Sequence, residues 1–173
     1  MKLVKLEEKY RPHLNEMMEE WLRFEDPKDI TPRAIVKHDY RDFENYMEHL
    51  EVKVENGRQV PDSTFFCLDE EQDRFVGAVN IRHYLNERLL LNGGHIGDGV
   101  RPLERGKGIG TAMVGLALEE CCKLGIHRVL MVCDSDNVAS AKTIIRNGGV
   151  MENEIEVDGF LEQRYWIDLG ENA

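Results

Sequence analysis

Residues 100–124, VRPLERGKGIGTAMVGLALEECCKL, decide how the chain is read. Glycines at 106, 108 and 110 precede a helical apolar pattern in which Met113, Leu116, Ala117, Cys121 and Leu124 share a face, with Gly125 placed to end the helix. Glycines let a backbone fold closely enough to aim several amide N–H groups at one point. The first turn of the following helix adds partial positive charge, and together these make a pyrophosphate site. A Walker A loop would need Ser or Thr after Lys107 and Gly at 101, where Gly108 and Arg101 stand. A dinucleotide fingerprint from Gly108 and Gly110 would need a third glycine where Met113 stands, early in a parallel unit. The first reading fails on the residues and the second is weak.

Working outward, Arg128–Cys133 is an apolar strand and His95–Arg101 another, so the loop sits in a β-loop-α-β unit. Asn137–Asn147 is a short helix ending at Gly148-Gly149. Strands at 150–157 and 160–169 flank Asp158-Gly159, a favoured hairpin turn. Upstream, 64–69 and 74–84 form a hairpin around an acidic turn, and 2–6 alternates as an opening strand. Helices are expected over 10–24, where Leu14, Met17, Met18, Trp21 and Leu22 recur at helical spacing, and over 39–54. Thr31-Pro32 reads as the cap before the second helix. There Tyr40, Phe43, Met47 and Leu50 form a stripe that suits core packing or a pocket wall. The order β, α, α, β, β, β, α, β, α, β, β over residues 1–173, without linker or repeat, predicts one α+β domain with a mixed, mostly antiparallel sheet flanked by helices.

The 173 residues carry 33 Asp+Glu against 22 Lys+Arg, a net charge of −11, which opposes binding to nucleic acid or an anionic membrane. The exceptions are local: segments 100–110 and 137–147 are each +2, leaving −15 on the other 151 residues. Two basic islands in an acidic chain mark a place for an anionic ligand. Cys67, Cys121, Cys122 and Cys133 lack zinc or disulfide spacing and read as free thiols. With no metal motif, no signal peptide and no apolar run of membrane length, a soluble cytoplasmic protein is expected.

Arg105, Gly108 and Gly110 match [Q/R]-x-x-G-x-[G/A], preceded by Val100-x-Pro102-x-x-Arg105 and followed by Asn137-x-x-Ser140 and Asn147-Gly148-Gly149. This constellation and the element order resemble the GNAT superfamily of acyl-CoA-dependent N-acyltransferases over nearly the whole chain. RHYLN (82–86), GGHIG (93–97) and RYWIDL (164–169) are similar to a bacterial branch described as predicted acetyltransferases. The resemblance implies a GNAT fold and acetyl-CoA as cosubstrate. The backbone of Arg105, Gly106, Lys107, Gly108, Ile109 and Gly110, with Thr111, would hold its pyrophosphate, Arg101, Lys107 and Lys142 of the basic islands would neutralise phosphates, and Asn137 and Ser140 would lie along the pantetheine arm.

The implied reaction is acetyl transfer to a small-molecule or peptide amine by direct attack in a ternary complex. An ammonium has no lone pair, so a base must take its proton. His95 is the first choice, with Asp98, Glu87 and His83 in reserve. A bulge in the strand before the loop would aim the Val100 N–H at the developing oxyanion. The tyrosine that often protonates the departing thiolate falls at Ile144, which leaves Ser140 or unaided departure, since a thiol pKa is about 8.5. An acyl-CoA sensor without turnover is the alternative, and a dinucleotide oxidoreductase a distant third. Residues 25–60, where the acceptor site would lie, carry no readable motif, and a homodimer is left open.

Overall fold

The computed structural model describes residues 1–170. It contains β1 (Lys2–Val4), α1 (Arg11–Phe24), α2 (Phe43–His49), β2 (Asp62–Asp69), β3 (Arg74–Arg82), α3 (Glu87–Leu91), β4 (Ile96–Val100), α4 (Ile109–Lys123), β5 (Arg128–Asp134), α5 (Val138–Arg146), β6 (Val150–Val157) and β7 (Phe160–Asp168). The expected order is present, with α3 added in what reads as a break. Asn86 starts that turn by accepting the Leu89 N–H at 2.9 Å. The second helix begins at Phe43, later than its pattern predicts. Thr31 does not cap it; a single 3₁₀ turn at Arg33–Val36 follows Pro32 instead.

Two antiparallel sheets replace the single mixed sheet: β1-β2-β3-β4 and β5-β7-β6. They meet where the His95 N–H donates to Leu130 O at 2.7 Å and the Leu130 N–H donates to His95 Nδ1 at 2.9 Å. Beyond that clasp β4 and β5 line opposite sides of a cleft.

Apolar side chains cover both faces. On one, Val79, Ile81 and Ile96 pack under Met113, Val114, Ala117 and Cys121 of α4, with Ile144 of α5. On the other, Phe66, Phe75 and Ala78 pack under Leu14, Met17, Met18 and Trp21 of α1. Tyr40, Phe43, Tyr46 and Leu50 join this second cluster, so the aromatic stripe is core, while Met47 turns outward. α4 ends as its sequence predicts: Gly125 adopts φ +75° and the Ile126 N–H returns to Cys121 O at 2.9 Å. Asp158 and Gly159, both at positive φ, make the tight β6–β7 turn. The four cysteines are free. Among the described residues no helix is long and apolar enough to cross a membrane.

Candidate functional site

The divergence of β4 from β5 opens a cleft of about 620 Å³ whose walls come from five places in the chain. Asp98, Gly99 and Val100 supply the β4 side, and Asp134 the end of β5. The turn from Arg105 to Thr111 closes one end, and Asn137, Ser140, Lys142, Thr143 and Arg146 of the α5 region form the roof. Glu25, Asp29 and Thr31 reach in from the segment after α1.

The turn is built as its glycines predict. Gly106 and Gly108 adopt φ +76° and +82°, and a Cβ added at either would meet nothing within 4 Å. Glycine is therefore required by backbone conformation rather than by crowding. α4 starts directly after Gly108, with its first N–H groups unpaired within the helix. Arg105, Gly106, Gly108, Ile109, Gly110 and Thr111 all line the cleft. Asn137 caps α5, accepting the Ser140 N–H at 3.1 Å.

The first basic island does not supply free charge, which corrects the expectation for Arg101 and Lys107. Arg101 is 2% exposed and faces away from the cleft, toward α1. Its Nε donates to Glu20 at 2.9 Å, Nη2 to Glu16 at 3.0 Å, and Nη1 to Phe75 O at 2.9 Å. Lys107 folds back to Glu104 at 2.9 Å and does not line the cleft. Arg105 is paired with Glu25 while its Nε donates to Val100 O at 2.9 Å. Lys142 and Arg146, in contrast, have no carboxylate within 4.0 Å among the described residues and line the cleft. The available positive charge is on α5.

His95 is also misplaced for the role expected of it. It is 6% exposed and outside the cleft, its Nδ1 lone pair is committed to the Leu130 N–H, and burial together with nearby Arg82 depresses its pKa to about 4. It joins the two sheets as a neutral ring. Three residues on, Asp98 does line the cleft. Burial raises its carboxyl to about 6, so it can exchange a proton near neutrality. Of the other reserves, His83 is engaged with Ser63 at 2.9 Å, and neither it nor Glu87 lines the cleft.

The bulge expected in β4 is absent, because its register with β3 is unbroken from Ile81↔Ile96 to Gly77↔Val100. The Val100 amide is nonetheless released from the sheet. The Arg101 N–H donates to Val76 O, and alternation along an antiparallel pair then turns the Val100 N–H away from β3, toward the cleft. Ser140 lines the roof, while Ile144 is fully buried, so the position of the usual tyrosine belongs to the core.

Glu25, Asp29, Thr31 and Thr143 are lining residues that sequence reasoning did not assign, and Arg146 entered it only as part of its basic island. Thr31 could not be found from spacing: its Oγ1 donates to Asp98 O at 2.8 Å, and a Cβ on Gly99 would lie 1.9 Å from Thr31 O. The bare face of Gly99 is what admits this segment to β4.

A family model described as "Acetyltransferase (GNAT) family" matches residues 14–148. No curated protein matches the chain in sequence. Among solved structures, the fold is similar to that of a ribosomal-protein-S5-alanine acetyltransferase from Vibrio fischeri, at 16% identity and a TM-score of 0.68 over 98% of this chain and 93% of that one. It is similar also to a spermidine N-acetyltransferase from Vibrio cholerae, at 15% identity and a TM-score of 0.63 over 98% and 95%. A third is a microcin C7 self-immunity acetyltransferase in complex with acetyl-CoA and AMP, at 18% identity and a TM-score of 0.63 over 96% and 91%.

Proposed function

Since the chain belongs to the GNAT family of acetyltransferases, we propose that it moves an acetyl group from acetyl-CoA to a primary amine by direct attack in a ternary complex. The observation that carries this reading is the convergence of three parts on one cleft: a glycine turn with open amides, a carboxyl titrating near neutrality, and a strand amide turned out of its ladder.

The residues suit the cosubstrate. The amides of Gly106, Gly108, Ile109 and Gly110 and the N-terminus of α4 would hold the pyrophosphate. Lys142 and Arg146 would neutralise phosphate charge, the part first given to both islands, and Asn137 and Ser140 would flank the pantetheine arm. When bound there, acetyl-CoA supplies a thioester. The Val100 N–H would stabilise charge developing on its carbonyl oxygen. The carboxylate of Asp98 takes a proton from the acceptor's ammonium, directly or through a water, so that a neutral amine attacks, and this base assignment replaces His95. Once bonded to the carbonyl carbon the nitrogen sheds a second proton, which the Ser140 hydroxyl accepts as it passes its own to the departing thiolate; a thiol pKa of about 8.5 keeps the demand small. The carboxylates of Asp29, Asp98 and Asp134, which line the cleft with no cation paired to them among the described residues, suit an approaching ammonium.

The test is release of free thiol from saturating acetyl-CoA with a broad panel of amines. Turnover is expected, with kcat/KM rising with pH and levelling above about 6, the pH at which Asp98 ionises. Asp98→Asn should lower kcat by about 10²–10⁴-fold while leaving affinity for coenzyme A nearly unchanged. Tight coenzyme binding with no thiol from any amine would overturn the transferase reading in favour of a sensor.

A further inference from the structure

A second cavity, about 310 Å³, lies on the other face of the β3–β4 pair from α4. Its walls carry Arg33, Lys37, Arg82 and Arg88 against a single carboxylate, Asp62. None of the four cations is within 4.0 Å of a carboxylate among the described residues, although the protein as a whole is strongly acidic. They are instead steadied by neutral oxygens. Arg82 Nη1 donates to Gly93 O at 2.9 Å and Gly94 O at 3.2 Å, Lys37 to Gln59 at 3.3 Å, and Arg88 to Arg58 O at 3.3 Å. Asp62 accepts the Val52 N–H at 3.0 Å. Asn80, 3% exposed, adds an amide anchored on Thr64 at 3.0 Å. A cavity with a net charge of +3, in which Asp62 near Arg82 is the one carboxylate for four cations and contacts none of them, is a site for an oxyanion.

Its place relative to the cleft says whose oxyanion. Arg82 Nη2 lies 3.5 Å from where a Cβ on Gly97 would stand, so the guanidinium rests against β4 one residue before Asp98. Gly97 and Gly99 put no side chain on that face, where Thr31 O and the Pro32 side chain pack instead, so the segment from Thr31, which lines the cleft, to Arg33, which lines the cavity, is a wall the two share. Asp98 lies opposite Val79 on β3, and Arg82 is three residues further along and on the opposite face, a span of about 10 Å measured along the strand. We propose that this cavity holds a carboxylate or phosphate carried by the acceptor itself, about 10 Å from its reacting amine. The acceptor is then an amine with an oxyanion at its other end, and not a polyamine. This rests on the transferase reading, whose acidic cleft receives the ammonium.

The test compares three acceptors of one chain length, ω-amino-octanoate, α,ω-diamino-octane and octylamine, and separately titrates inorganic phosphate in thermal-shift measurements with saturating coenzyme A. The amino acid should be preferred about tenfold in kcat/KM, chiefly through KM. Arg33→Gln and Arg88→Gln, both at exposed residues, should erase most of that preference and the stabilisation by phosphate; Arg82→Gln should do so if it folds. Arg23→Gln, outside both cavities, should change neither. Equal or better use of the diamine, or a preference and a phosphate shift that survive Arg33→Gln and Arg88→Gln, would overturn the inference while leaving acetyl transfer intact. If every amine fails yet phosphate stabilises the protein through Arg33 and Arg88, the anion site stands and the transferase reading is what falls.

Discussion

Asp98 and His95 sit three residues apart and titrate in opposite senses. Burial raises Asp98 to about 6 from an ordinary value of 3.8, so its folded state holds a proton that the unfolded chain gives up. The stability it contributes is complete below pH 4 and is lost as pH rises through 6. His95 is held at about 4 from 6.5, so its contribution is present above pH 6.5 and is lost as pH falls toward 4. The slopes oppose one another in one window, and single variants should unmask them. Asp98→Asn should be more stable than the parent by roughly 1–3 kcal/mol above pH 6, and the gain should vanish near pH 4. Its melting temperature should then fall steadily on acidification. His95→Ala should be destabilised by about 1–3 kcal/mol at pH 7, because the buried Leu130 N–H loses its acceptor. Its stability should rise as pH falls from 6 to 4, with a kcat close to the parent value below its melting point. A collapse of kcat in folded His95→Ala would return the base role to His95. Choosing between the two residues from sequence required knowing which face of β4 meets the cleft, and that depends on pairing with β3, a contact between distant segments.

Among the elements, the glycine turn was legible because its causes are local: positive φ at Gly106 and Gly108 and a helix start immediately after them. The destination of the neighbouring charges was not. Arg101 meets Glu20 and Glu16, 81 and 85 residues away, and Glu20 also accepts the Leu103 N–H at 3.1 Å. Burial alone would raise the Glu20 carboxyl, but the Arg101 guanidinium and that N–H outweigh it and hold it below its usual range. These bonds fasten α1 to the base of the turn, so the position of the turn depends on a helix more than eighty residues earlier. Glu20→Gln should cost about 3–5 kcal/mol, since it leaves a buried guanidinium undercompensated. Denaturant midpoints measured with and without coenzyme A would check this: the loss should appear in both, and coenzyme affinity should weaken only as the turn loosens.

For the whole molecule, sequence showed that the charge is uneven and placed both islands at one cleft, but it could not show which charges cancel. Folding pairs Arg105 with Glu25 and Lys107 with Glu104, which neutralises the island at 100–110. The island at 137–147 stays open because α5 offers Lys142 and Arg146 no acidic neighbour. An acidic protein thus presents free cations at the α5 roof of one cleft and in the cavity behind β4. Coenzyme A should consequently bind more weakly as salt increases, with most of the slope set by two residues. Lys142→Gln and Arg146→Gln should each weaken binding about three- to tenfold at low ionic strength and flatten its salt dependence, whereas Lys107→Gln should do neither. Calorimetric titrations of the three variants at two salt concentrations separate the outcomes. A salt slope that follows Lys107 would mean that this side chain leaves Glu104 for the phosphates when the coenzyme binds, and that the first island is held in reserve.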